Sequence, residues 1–173
     1  FYIATTEVTN AQFRAFRPAH TSGAERYTEL AGDDHPAVLL SWRDAAAYCN
    51  WLSERDGLPP AYVAGAGGGL SLAVPVTTGY RLPTEAEWEW VARYAGGATA
   101  RKYPWGDAMP PPAGAGNFAD RSARGLVANL LTGYDDGYPV TAPVGRFAAN
   151  ALGLFDLGGD TAEWTSDVYT VSG

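Results

Sequence analysis

Apolar residues return at helical spacing in three short stretches of this chain. In "AQFRAF", Phe13 and Phe16 share a face, and Thr9 or Asn10 stands where a side-chain oxygen can accept a bond from a free backbone N–H. The preceding "FYIATTEVTN" reads as a strand running into that helix start. In "SWRDAAAYCNWLSERDG", Ser41 and Asp44 form an N-terminal capping pair, Ala45, Tyr48, Cys49 and Leu52 recur along one face, and Gly57 ends the helix. In "RLPTEAEWEWVARYAGG", Thr84 and Glu87 complete a capping box. Trp88, Val91, Ala92 and Ala95 then form the core-facing stripe, and Gly96 stops the helix. Glu85 and Glu87 fall where a helix dipole favours negative charge.

Between the second and third helices, "LPPAYVAGAGGGLSLAVPVTTG" is too rich in Pro and Gly for a helix and predicts a surface excursion with room for a short hairpin. After residue 97 the helical period vanishes under Gly, Pro, Asn and Asp, which predicts long loops with short strands at "PVGRF" and "AEWTSDVY". The pattern describes one α+β domain over residues 1–173, loop-rich, with short helices and strands.

Composition sharpens this picture. At 173 residues the chain can bury a sizeable core without staples, and 21 Gly, 12 Pro and 6 Trp agree with a turn-rich build. A formal net charge of -7, with no basic stripe, argues against nucleic acid as a partner. No run of apolar residues is long enough to cross a membrane as a helix. A single cysteine, Cys49, allows no internal disulfide and no thiolate cluster from this chain alone, and its place on an apolar helix face reads as a small buried hydrophobe. His35, before Pro36, reads as a loop residue fixing entry into a strand. Trp42, Trp51, Trp88 and Trp90 read mainly as core, with Trp105 and Trp164 more open. Walker, dinucleotide-binding, nucleophile-elbow and H-E-x-x-H patterns are all missing from the sequence.

The remaining candidate chemistry is oxygen-rich. "DLGGDTAEW" places Asp156 and Glu163 around a Gly-Gly pair, so that both carboxylates and the carbonyls between them suit one cation. Asn117 with Asp136, the latter in "YDDGY", forms a second candidate. Calcium fits such donors because it accepts six to eight oxygens in irregular geometry. On spacing alone, Asp and Gly in these loops read more strongly as turn formers than as ligands.

The ordered set "EVTNAQFRAF", "HPAVLLSWRDAAAYCNWL", "YRLPTEAEWEWVAR", "YPWGD" and "APVGRFAANALGLFDLGGDTAEW" resembles the formylglycine-generating enzyme family, also called sulfatase-modifying factor domains, over nearly the whole chain. The resemblance implies a C-type lectin-like fold with little regular structure. It also implies calcium, held at one site by Asn117, the Phe118 carbonyl, Asp136 and the Tyr138 carbonyl, and at a second by Asp156, the Gly159 and Thr161 carbonyls, and Glu163. Asp160 stands where the family has Asn, which adds a charge. In "RLPTEAEWE", Arg81, Glu87 and the tryptophans are implied to knit the helix to the loops around it.

Active members of the family oxidise a substrate-protein cysteine to Cα-formylglycine with oxygen and a copper ion held by two C-terminal cysteines. Cys49 matches neither of these, so the resemblance implies a chain whose C-terminal segment is missing or a member without the copper pair. The favoured expectation is a non-catalytic scaffold binding a protein, peptide or small ligand, as in kinase-associated domains or retroelement variable proteins. The alternative is the copper-dependent oxidase, its cysteine pair lying outside this chain.

Overall fold

The computed structural model describes residues 1–65 and 68–167. They divide into two compact units, one formed by Phe1–Val38 with Glu89–Ala162, the other by Leu39–Trp88 with the segment that starts at Glu163.

In the second unit the helix α2 (Trp42–Arg55) starts where the sequence places it. Ser41 Oγ accepts from Asp44 N–H, and the Asp44 carboxylate accepts from Ser41 N–H at 3.0 Å, so two orphan donors are satisfied within three residues. Asp56 closes the last turn, and Gly57 follows at φ +70°, a left-handed conformation that favours glycine. The fully hidden face runs through Ala46, Tyr48, Cys49 and Ser53, displaced by a residue or so from the predicted Ala45–Leu52 stripe. Its Ala46 and Cys49 pack with Ala61 and Tyr62, with Trp42, Leu70, Leu72 and Leu82 around them. The predicted hairpin is present as β1 (Tyr62–Ala64) paired antiparallel with β2 (Leu70–Leu72), Tyr62 opposite Leu72. The span is not wholly a surface excursion, because Ala61 and Tyr62 anchor its root in the core. Asn50 locks that root: its Nδ2 donates to the Tyr62 carbonyl at 2.7 Å, and its Oδ1 accepts from Tyr62 N–H at 2.9 Å.

Helix α3 (Glu85–Glu89) opens on the expected box, Thr84 Oγ1 accepting from Glu87 N–H and Glu87 Oε2 from Thr84 N–H. Arg81 meets the same carboxylate with both terminal guanidinium nitrogens at 2.7 Å. These bonds, led by that from Arg81, hold Glu87 down to about 2. A depressed carboxylate stabilises the fold above its ordinary range, and that stability is lost as pH falls through the folded value. Chemical denaturation is therefore expected to show a loss of about 2 kcal/mol between pH 4.5 and 2, discounted for partial exposure, and a flatter profile in Glu87→Gln. The chain then passes into a π-helical turn, Trp90–Tyr94, and Ala95 takes a left-handed conformation before Gly96. Val91, Ala92 and Ala95 are buried as the periodicity predicts, but Trp88 is half-buried and Trp90 is exposed, with Phe1 edge-on against it.

The first unit is built from irregular chain. Helix α1 (Asn10–Phe16) is capped by Thr9, whose hydroxyl accepts from Gln12 N–H, while Asn10 is wholly buried. Asn10 Nδ2 donates to the Leu30 and Gly32 carbonyls, and its Oδ1 accepts from Ser22 Oγ at 2.6 Å. The predicted N-terminal strand is not a ladder: Ala37 N–H donates to Val8 O and Phe155 N–H to Thr5 O as separate contacts, with one bridge from Thr9 to Pro36. "PVGRF" is a turn rather than a strand, closed from Arg146 N–H to Pro143 O with Gly145 at φ +71°. Residues 162–167 of "AEWTSDVY" are also not a strand, and Val168 and Tyr169 lie outside the described residues. Alternating apolar patterns there meet single cross-chain bonds, which hold an extended segment without forming a sheet.

Candidate metal sites

The first set of sequence-predicted ligands converges in unit one. Phe118 is positioned by edge-on contacts with Trp105 and Tyr134, at 5.2 and 5.4 Å between ring centroids. Its N–H donates to Asp136 Oδ2 at 2.7 Å, and Tyr138 N–H donates to Asp136 Oδ1 at 2.8 Å. Asn117, almost wholly buried, donates through Nδ2 to the Val140 carbonyl and to Asp160 Oδ1. A residue not singled out in the sequence supports the set from beneath. Asp120 is fully buried, accepts from Asp136 N–H at 2.6 Å through Oδ2, and accepts from Ser122 N–H and Oγ through Oδ1. The Ser122 hydroxyl also lies 2.8 Å from the Tyr138 carbonyl. Its only local signal is an Asp two residues before Ser, the spacing of an Asx turn. Burial pushes both carboxyls up; at Asp120 the Ser122 bonds prevail and hold it below its ordinary value, whereas Asp136 stays raised.

The second set is split. Asp156 is buried at φ 58°, its Oδ2 accepts from Gly145 N–H at 2.5 Å, and its Oδ1 has no hydrogen-bond partner. Gly159 passes close to Asn117: a Cβ on it would lie 2.3 Å from the Asn117 carbonyl oxygen. Thr161 N–H donates to the Gly159 carbonyl at 2.9 Å. Glu163 belongs to the other unit, where its Oε2 accepts from Trp88 Nε1 at 2.8 Å.

Asp160 ties the two loops of unit one. Its N–H donates to the Asn117 carbonyl at 2.9 Å, and its Oδ1 accepts from Ala142 N–H at 2.9 Å and from Asn117 Nδ2 at 3.3 Å. Its Oδ2 is buried without a hydrogen bond. Burial, with the charges of Asp156 and Asp136 adding to it, pushes this carboxyl up to about 7. Buried carboxylate oxygens without donors suit a cation. Among the described residues no group of three or more His, Cys, Asp or Glu side chains is placed to hold a metal ion, so amide and backbone oxygens have to complete any shell here.

The other polar candidates are structural. Burial pushes the Cys49 thiol up to about 12, which removes the thiolate needed for nucleophilic or metal chemistry. His35 Nδ1 lies 2.9 Å from Thr141 Oγ1, joining two loops of unit one.

This assembly of short helices, one small hairpin and long cross-bonded loops is the α+β, C-type lectin-like fold of a sulfatase-modifying factor domain, and the family model "Sulfatase-modifying factor enzyme 1-like domain" matches residues 1–173. The chain belongs to the formylglycine-generating enzyme family. It is 36% identical over 152 residues to the formylglycine-generating enzyme of Bos taurus, covering 88% of this chain and 32% of that protein. It is also 33% identical over 139 residues to the inactive C-alpha-formylglycine-generating enzyme 2 of Mus musculus, covering 80% of this chain and 34% of that one. Among solved structures, CarF superposes with a TM-score of 0.68 at 28% identity, over 99% of this chain and 69% of CarF. The chain thus spans about a third of the length of these two enzyme-family relatives.

Proposed function

We propose that this domain is a calcium-stabilised binding scaffold of the formylglycine-generating enzyme family, non-catalytic in the chain described, that presents its loops to a protein, peptide or small ligand. The observation that carries the calcium reading is Asp160 Oδ2, a buried carboxylate oxygen without a hydrogen bond on a residue fastened to Asn117, with Asp156 Oδ1 likewise lacking a donor. Asn117, Phe118, Asp136 and Tyr138 would hold one ion, and Asp156, Gly159 and Thr161 would contribute to another. Bound calcium supplies a cross-link between loops, a role that suits chain with so few sheet bonds. The non-catalytic part is supported by Cys49, the sole cysteine, which is buried and held as a thiol. A family relative named as inactive shares the same region. The identity to a relative named formylglycine-generating enzyme supports a second reading, a copper-dependent oxidase of substrate-protein cysteine whose metal-binding pair is not among these residues.

Calcium added to chelator-treated protein at about a hundredfold excess over its dissociation constant is expected to stabilise it by about 2.7 kcal/mol. That corresponds to a rise in melting temperature of roughly 5–10 °C in scanning calorimetry. An unchanged melting temperature would count against calcium. Incubation with a Cys-x-Pro-x-Arg peptide, copper and oxygen is expected to leave the thiol unmodified, and formylglycine detected by mass spectrometry would establish the oxidase reading instead.

A further inference from the structure

Asp160 stands outside both ligand sets, yet it is the residue that joins them. Through its N–H and its Oδ1 it is fastened to Asn117, of the first set. Along the chain it lies between Gly159 and Thr161, of the second. One of its carboxylate oxygens is occupied by the Ala142 N–H and the Asn117 amide, and the other is buried with no donor. A neutral Asn would keep every one of those accepted bonds, since its side-chain oxygen can replace Oδ1. What the carboxylate adds is therefore charge rather than structure.

We propose that Asp160 is a positioning carboxylate common to both cation sites, whose unmatched charge raises calcium affinity at each of them. The inference rests on the calcium reading above. Without an ion, a carboxylate oxygen buried with no donor destabilises the fold. A divalent ion held by either loop reverses that balance, because the same negative charge then attracts the ion through a poorly screened interior. Asp160 makes this domain depend more on its ions than an Asn in the same place would. The left-handed backbone at this position, φ 64°, accepts Asp, Asn and Gly alike, so the charge can be removed without new strain.

The test compares the wild-type chain with Asp160→Asn at pH 8. Calcium dissociation constants are read by isothermal titration calorimetry, and melting temperatures are read with and without chelator. The expected result has opposite signs in the two states: metal-free Asp160→Asn melts a few degrees higher than wild type, while its calcium affinity falls about tenfold at both sites. Asp160→Gly, which also removes the charge and suits the backbone, must weaken calcium binding likewise. Affinities within twofold of wild type in both variants overturn the proposal while leaving the calcium reading intact. So does a melting temperature lowered equally with and without calcium, the result of a purely structural role. A wild-type chain that binds no calcium overturns both.

Discussion

Gly159→Ala is expected to lower stability by about 3 kcal/mol and to remove most of the calcium response. The added Cβ would lie 2.3 Å from the Asn117 carbonyl oxygen and 3.1 Å from Phe118 Cε1. The carbonyl is backbone and accepts from Asp160 N–H, so it has little freedom to retreat. Separating the two loops would break the bonds from Asp160 N–H to Asn117 O and from Asn117 Nδ2 to Asp160 Oδ1 together. Urea denaturation of the metal-free protein reads the first effect, and the calcium-induced rise in melting temperature reads the second. A Gly159→Ala variant as stable as wild type would mean that the 117 and 158–161 loops do not pack as closely as described.

Tyr62→Ala is expected to cost about 4 kcal/mol, the cost of removing a large aromatic from a core that cannot fully collapse. Tyr62 is 2% exposed and meets Trp42 edge-on at 5.3 Å between ring centroids. Its hydroxyl accepts from Leu82 N–H at 3.0 Å, so truncation also strands a backbone donor beside Arg81 and the start of α3. Tyr62→Phe separates the two contributions: it keeps the ring and is expected to lose about 1 kcal/mol, the hydrogen bond alone. Equal losses in the two variants, measured by chemical denaturation, would assign the whole effect to the hydroxyl.

Both positions lie in segments whose character local sequence signals give only in part. The Pro- and Gly-rich span after α2 announces a hairpin through its breakers, but nothing within it says that Ala61 and Tyr62 turn inward. That follows from Asn50, which reaches the Tyr62 backbone from a helix twelve residues away in sequence. Asp120 was likewise hidden, since an Asp followed by Ser at i+2 is an ordinary turn until Asp136 N–H arrives to share it. The strands predicted at 1–8 and at "PVGRF" fail for a related reason. Apolar alternation marks chain suited to extension, and a partner strand has to be supplied from elsewhere; here the partners are single residues, Ala37 and Phe155 for the first segment and Asp34 for the second.

The sequence by itself determined the helix starts, because Ser41 with Asp44 and Thr84 with Glu87 meet across three residues and need nothing beyond one turn of backbone. It also determined the loop-rich character, through Gly and Pro that interrupt every longer period, and the family, through motifs spread along the whole chain. Only the tertiary structure decided that Asn117 and Asp160, 43 residues apart, are mutual partners, that Asp136 is gripped by backbone N–H groups, and that a carboxylate oxygen is left buried without a donor. Hydrogen-bond satisfaction depends on which distant loops come within about 3 Å of each other, and no local pattern of residues encodes that distance.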